Sequence, residues 1–227
     1  MEKLTRQAIS DATSAAGWRY VLAVLCSVVR VDSISQAAAL AAQLVDAIGP
    51  DADEHLRLDV RSGALIVGVQ TLRDADLTGR DIEIALRISD VVAAAGLATV
   101  PDVGGVRSVQ LIELGIDALD IPAIRPFWKA VMAYADEADR NGPRDPIVDP
   151  LGHGPAIWFQ QMDAPRPQRN RIHFDVSVSH DEAPRRVQAA LDAGGTLVSD
   201  LRAPSFWVLA DVEGNEACVT TWQGRDP

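Results

Sequence analysis

Positive charge, and lysine above all, is what this chain has least of. Across 227 residues 21 Lys and Arg stand against 32 Asp and Glu, for a formal net charge of −11, and lysine occurs only at Lys3 and Lys129. The deficit is spread along the chain, with 9 basic against 13 acidic residues in 1–100 and 12 against 19 in the rest. Neither half therefore offers the cationic surface that phosphate backbones or anionic bilayers attract. Nucleic acid and membrane are not the expected partners; a small molecule is. Long apolar runs are also missing: the longest, Tyr20 to Val29, is about half of the roughly 20 residues that a membrane span needs. Cysteine is scarce, with only Cys26 and Cys218, both in apolar strand-like runs without metal-type spacing. A disulfide framework is excluded on that count. With no secretory segment at the N-terminus, a reduced, cytoplasmic home is expected. Rare Lys beside abundant Arg and Ala reads as codon bias of a GC-rich genome and carries no function.

A change of pattern near residue 100 favours two small cores over one large one. We read residues 1–97 as a first domain, 98–107 as a linker carrying Pro101 and Gly104-Gly105, and 108–227 as a second domain. In the first, residues 3–15 carry Leu4, Ala8, Ile9 and Ala12 at helical spacing until Gly17 stops them. Leu22 to Val31 reads as a strand, and Ser33 as the N-cap of a helix over Ile34 to Ile48 that Gly49-Pro50 ends. Strands are expected over His55 to Val60 and Ala64 to Gln70, with a turn at Arg61-Ser62-Gly63. Thr78 caps a last helix through Ala95, with Asp81 and Glu83 in the first turn where the helix dipole favours acids. The result is an α+β domain, helices on one face of an antiparallel sheet.

The second half repeats itself. Leu111 to Asp117 and Arg171 to Val178 are alternating runs, each read as a buried strand with one polar, ligand-capable side chain pointing inward. Each is followed by a short acidic loop and a helix-period segment, Ala123 to Tyr134 and Glu182 to Ala193. Strands near Ile147 and at Ala156 to Gln161 complete one copy; Thr196 to Leu201, Phe206 to Asp211 and Glu216 to Thr221 complete the other. That is βαβββ twice, an internal duplication. On this register Glu113 and His173 hold equivalent places, so the two copies would bring an acid and an imidazole to a common centre.

Two resemblances follow from these residues. Trp18, Asp51-x-x-x-His55, Gln70-Thr71 and Leu77-Thr78-x-x-Asp81, in the element order of residues 3–95, resemble the pterin-4a-carbinolamine dehydratases. That family carries an acid followed by His-His-Pro and a later Thr-His pair. Here the second His is Leu56, the Pro is Arg57 and the later His is Leu72. The resemblance implies a 4a-hydroxytetrahydropterin as substrate, His55 as acid/base, and Trp18 and Thr71 as substrate contacts; Asp51, Glu54 and Asp81 are the acids within reach of the helper's role. Dehydration needs one group to protonate the leaving hydroxyl and another to take the N–H proton, so the lost histidines favour a domain that keeps the fold and has lost or changed the activity.

The paired βαβββ pattern over 108–223, with Phe127-Trp128 and the Asp211-Val212-Glu213-Gly214-Asn215-Glu216 turn, resembles the glyoxalase-like branch of the vicinal oxygen chelate superfamily. Metal-using members hold a divalent ion on inward residues of the first, fifth and last strands, which the resemblance carries to Glu113, His173 and Cys218. Zinc accepts carboxylate, imidazole and thiolate alike, whereas Cys is also a common buried small residue, so no cofactor is firmly implied. Trp128, Trp158 and Trp207 read as core aromatics or as walls on which a flat ligand stacks. Arg171, with Arg166 and Arg169, is placed to meet an anionic substrate or to offset the acidic loop.

Three readings stand at this point: a lyase or isomerase with a dehydratase-like first domain, a non-catalytic binding or sequestering protein with both sites degraded, and a metal-independent proton-transfer enzyme using only Glu113 and His173. Homo-oligomers, common among relatives of both halves, are expected.

Overall fold

The computed structural model describes residues 4–102, 108–165, 172–221 and 223–224. The chain divides into two compact units, Met1–Leu111 and Ile112–Pro227. The first opens with α1 (Arg6–Thr13), capped by the Thr5 hydroxyl, then β1 (Arg19–Val21) and β2 (Val24–Arg30). A single strand from Leu22 was expected there, but the chain folds back at Leu22 and Ala23, both at positive φ. No Gly or Asn marks that turn, so it left no signature in the sequence. α2 (Ile34–Ile48) follows as expected, with Ser33 Oγ accepting from Gln36 N at 3.1 Å. A single turn, α3 (Ala52–His55), leads into β3 (Leu56–Arg61), which pairs with β4 (Ala64–Val69). His55, expected in the strand, is the last residue of that turn, which sets its side chain beside the start of the next helix.

That helix, α4 (Gly79–Ala94), begins with a capping box in which Thr78 and Asp81 satisfy each other's backbone N–H groups. β5 (Thr99–Val100) adds to β2, so the stretch expected as linker carries a strand of the first sheet. All pairings in this sheet are antiparallel. One sheet face, with Leu25, Val29, Leu65, Val67 and Val69, packs on Ile9 of α1, Leu40 and Leu44 of α2, and Ile84, Ile88 and Val92 of α4. The apolar stripes at helical spacing thus meet the period-2 stripe of the sheet, and their burial holds the unit together.

The second unit runs β6 (Glu113–Ala118), α5 (Ile121–Met132), β7 (Ala135–Asp136), β8 (Ile147–Val148) and β9 (Ala156–Gln161), then β10 (Phe174–Ser177), α6 (Ala183–Asp192), β11 (Thr196–Arg202), β12 (Phe206–Ala210) and β13 (Glu216–Thr220). That is the expected βαβββ twice. The sheets have orders β6-β9-β8-β7 and β10-β13-β12-β11, and in each copy the first strand pairs parallel with the last. Leu114, Ile116, Ala118, Ile157 and Phe159 from one copy, and Phe174, Val178, Ala217 and Val219 from the other, share a core with Ile124, Phe127, Trp128 and Val131 of α5 and Ala190 of α6. Alternation leaves the intervening residues of each strand on the opposite, open face.

The turn into β13 has a physical explanation. Asp211, almost fully buried, accepts from Glu213 N, Asn215 N, Asn215 Nδ2 and the Trp128 indole Nε1, at 2.9, 2.9, 2.7 and 3.0 Å. Gly214 takes the positive φ of 87° that the turn needs. Glu213 reaches across to accept from Leu119 N and Asp120 N at the mouth of α5. One acidic turn therefore ties the last strand of the second copy to the helix of the first.

Candidate functional site

β6 and β10 are each the outer strand of their sheet, and a cavity of about 370 Å³ is lined by both. Leu114, Gly115, Ile116 and Asp117 come from β6, Ile172 from the segment just before β10, Phe174 from its first position, Asn215 from the turn into β13, Glu216 from the start of β13, and Trp128 from α5. Trp128 is 1% exposed and stands edge-on to Phe127 and Phe174, with ring centroids 5.4 and 5.5 Å away. Its N–H is committed to Asp211, so it offers the cavity only its ring. Trp158 lies over Gly115: a Cβ there would meet the indole at 2.9 Å. Glycine is what lets this ring approach β6 so closely.

The alternation expected for the two copies holds in the core. Leu114 and Phe174 both pack inward, so Glu113 and His173, one residue earlier, occupy equivalent places on the open face. Neither is buried, however: both are exposed, and β10 alternates half-buried with exposed residues. The inward polar side chain read from the sequence is corrected on that point. β6 and β10 are edge strands, and their open face is covered by no further layer of described residues.

His173, Asp175 and Cys218 do come together. Asp175 and Cys218 are partners in the parallel β10/β13 ladder, and His173 lies two residues before Asp175 on the same face. Their nitrogen, oxygen and sulfur atoms all lie within 4.8 Å of one another, with His173 Nε2 3.5 Å from Asp175 Oδ1. Cys218 is buried and the other two are exposed, so the group is a shallow site with a buried floor. Glu113, the third ligand expected from the resemblance, is not in this group; Asp175 stands in its place. The i, i+2 spacing of His173 and Asp175 on a strand was the signal for it.

In the first unit the structure brings together His55, Asp81 and Thr71. His55 Nδ1 is 2.8 Å from Asp81 Oδ1, and Thr71 Oγ1 donates to Asp81 Oδ2 at 2.7 Å. Asp51 does not join them; it pairs with Arg80, itself also bound to Glu83, in an exposed cluster. Trp18 is fully buried, its indole N–H donating to Ser89 Oγ at 2.9 Å, so it is a core residue with no surface to offer a substrate. Trp207 packs against the second unit's core on the helix side of β12, opposite the open face. His153 and His180 are exposed, as expected for loop residues. Arg166, Arg169 and Arg171 lie outside the described residues.

Residues 113–220 match the family model described as the glyoxalase-like domain, so the second unit carries a glyoxalase-like domain. Similar solved structures include a glyoxalase/bleomycin resistance protein/dioxygenase family enzyme from Burkholderia phytofirmans PsJN, at 18% identity over 48% of this chain and 95% of that one, TM-score 0.40. A hypothetical protein from S. aureus matches at 15% identity over 51% and 95%, TM-score 0.38, and the fosfomycin resistance protein FosX from Mesorhizobium loti at 9% over 48% and 89%, TM-score 0.39. No curated protein matches the chain. The family match covers the second unit alone, and the dehydratase resemblance of the first rests on the residues quoted for it. Among the described residues no helix is long and apolar enough to cross a membrane.

Proposed function

We propose that the second unit binds and acts on a small molecule at the open face of β10 and β13, with a zinc-type divalent ion held by His173, Asp175 and Cys218. The observation that carries this reading is the convergence of three different donor atoms within 4.8 Å. Zinc bonds of roughly 2.0–2.3 Å put tetrahedral donors about 3.3–3.8 Å apart, and the His173–Asp175 separation of 3.5 Å already falls there. Side-chain adjustments on the order of 1 Å would complete the set. A thiolate among the donors favours zinc over manganese or magnesium, which prefer oxygen.

When bound, such an ion supplies Lewis acidity for a substrate oxygen. The chain's own residues do the rest. Three protein donors leave a fourth position for ligand, and exposure of His173 and Asp175 leaves that position reachable. The cavity between β6 and β10, walled by Trp128, Phe174 and Leu114, takes the apolar body of the molecule. Glu216, on the same face two residues before Cys218, lines the same cavity and connects the two places.

The test is zinc content and affinity by elemental analysis and calorimetric titration of untagged protein. About one equivalent, lost in both His173→Ala and Cys218→Ser while circular dichroism is unchanged, supports the reading. Well under one equivalent of zinc, iron, nickel or manganese, with no uptake on titration, ends it.

A further inference from the structure

Gly115 sits in the middle of β6, where a glycine weakens a strand and commonly marks the close approach of another group. Its φ is not positive, so no turn asks for it; what it supplies is room. Trp158, its partner in the parallel β6/β9 ladder, takes that room. A Cβ on Gly115 would meet the indole atoms Cζ2, Cε2 and Nε1 at 2.9, 3.0 and 3.3 Å. The ring therefore extends from β9 over β6, the outermost strand of its sheet. It does so on the open face, since its neighbours Ile157 and Phe159 pack inward, and it stays 39% exposed there. Single exposed aromatics are ordinary; this one is set apart by the glycine that makes room for it and by what lies beside it.

The cavity between β6 and β10 is lined by Leu114, Gly115, Ile116 and Asp117 in succession. Successive strand residues point to opposite faces, so the cavity follows the edge of β6 and reaches both faces. On the open face its rim is Gly115 and Asp117 from one copy and Glu216 from the other. Trp158 stands over the first of these. Beyond Glu216, two residues along β13 on the same face, is Cys218 of the group formed with His173 and Asp175. A molecule lying along this rim meets the donor group with one end and the indole with the other.

We propose that Trp158 is a specificity-determining residue of the second unit's site, and that the substrate is a planar, ring-bearing molecule with an oxygen donor directed to His173, Asp175 and Cys218. The inference rests on the metal reading above and adds to it the shape of the substrate. An indole rewards a flat partner with offset-stacked or edge contact beyond the area that both bury. A puckered ring of the same size buries its carbons without that contact. Gly115 is the positioning residue, because a side chain there would push the indole away from the rim.

The test compares benzohydroxamate with cyclohexanecarbohydroxamate, the same chelating group on a flat and on a puckered ring, by calorimetric titration into the full-length protein loaded with zinc. Elemental analysis beforehand should show equal zinc in wild type, Trp158→Leu and Gly115→Ala. The ratio of the two affinities should fall about 2–12-fold in Trp158→Leu, the worth of one aromatic contact. In Gly115→Ala, which keeps the indole but displaces it, the ratio should fall as well. A ratio that Trp158→Leu leaves unchanged, at full zinc content, overturns the role of Trp158 and leaves the metal site standing. A wild type that takes up no zinc overturns the metal reading, and this inference with it.

Discussion

Replacing Asp211 by Ala tests how the glyoxalase-like domain is closed. The side chain is 2% exposed and accepts from two backbone N–H groups, the Asn215 amide and the Trp128 indole. The two backbone donors lie in a turn and regain water when the acceptor goes. The Trp128 N–H, on a residue 1% exposed, does not. A buried donor left without a partner costs about 1–3 kcal/mol, and loss of the turn's order adds a further hydrogen bond's worth of about 1 kcal/mol. The expected destabilisation is about 2–4 kcal/mol, a drop in Tm of roughly 10–20 °C for a domain of this size. Urea unfolding followed by tryptophan fluorescence measures it, because four of the five tryptophans lie in the second unit. Asp211→Asn keeps one acceptor oxygen and should recover part of the loss. A change below about 0.5 kcal/mol, with the native emission spectrum unaltered, would refute the assignment of Asp211 as the residue that fastens β13 to α5.

Three further expectations follow from local chemistry. Lys129, with Arg125, holds the Asp136 carboxyl below the usual carboxylate value. Its stabilising effect is present above the unfolded value of about 3.9 and is lost as pH falls through the lowered one, so Asp136→Asn should flatten the acid limb of stability below about pH 4. Burial pushes the Cys26 thiol up to about 11, with Arg57 pulling partly back. Stability linked to it is full below the ordinary thiol value and fades as pH rises toward 11; Cys26 should also stay unreactive to a disulfide reagent at pH 8 until the protein unfolds. Gly115→Ala would set a methyl 2.9 Å from the Trp158 ring, so the indole must lift from the open face. A shifted Trp158 emission with a stability loss of no more than about 1–2 kcal/mol is expected; an unchanged spectrum would mean the ring does not lie there.

Much of the architecture was legible because periodicity reports burial. The 3.6-residue stripe of Ile34 to Ile48 and the doubled βαβββ pattern needed no tertiary information, since each element buries the face its own spacing defines. What the pattern could not show was geometry decided by neighbours. The turn at Leu22-Ala23 is held at positive φ by two residues with no turn preference, so a hairpin looked like one strand. Glu113 and His173 do share a register, but alternation says only which face a residue takes. Whether that face is covered depends on where the two sheets end, and here β6 and β10 leave theirs open. Asp175 was missed for the same reason: its proximity to Cys218 comes from a strand pairing 43 residues apart in sequence. Conversely, the Thr78-x-x-Asp81 spacing announced a helix cap, but nothing local announced that the same carboxylate would meet His55.

The most direct test of the metal reading is the absorption spectrum of the protein loaded with Co(II) in place of zinc. A thiolate–cobalt charge-transfer band in the near ultraviolet, together with the intense visible bands of a tetrahedral ion, is expected for the wild type; in Cys218→Ser the charge-transfer band should vanish. A spectrum indistinguishable from hexaaquo cobalt in the wild type, or one that Cys218→Ser leaves untouched, would contradict a site built on His173, Asp175 and Cys218.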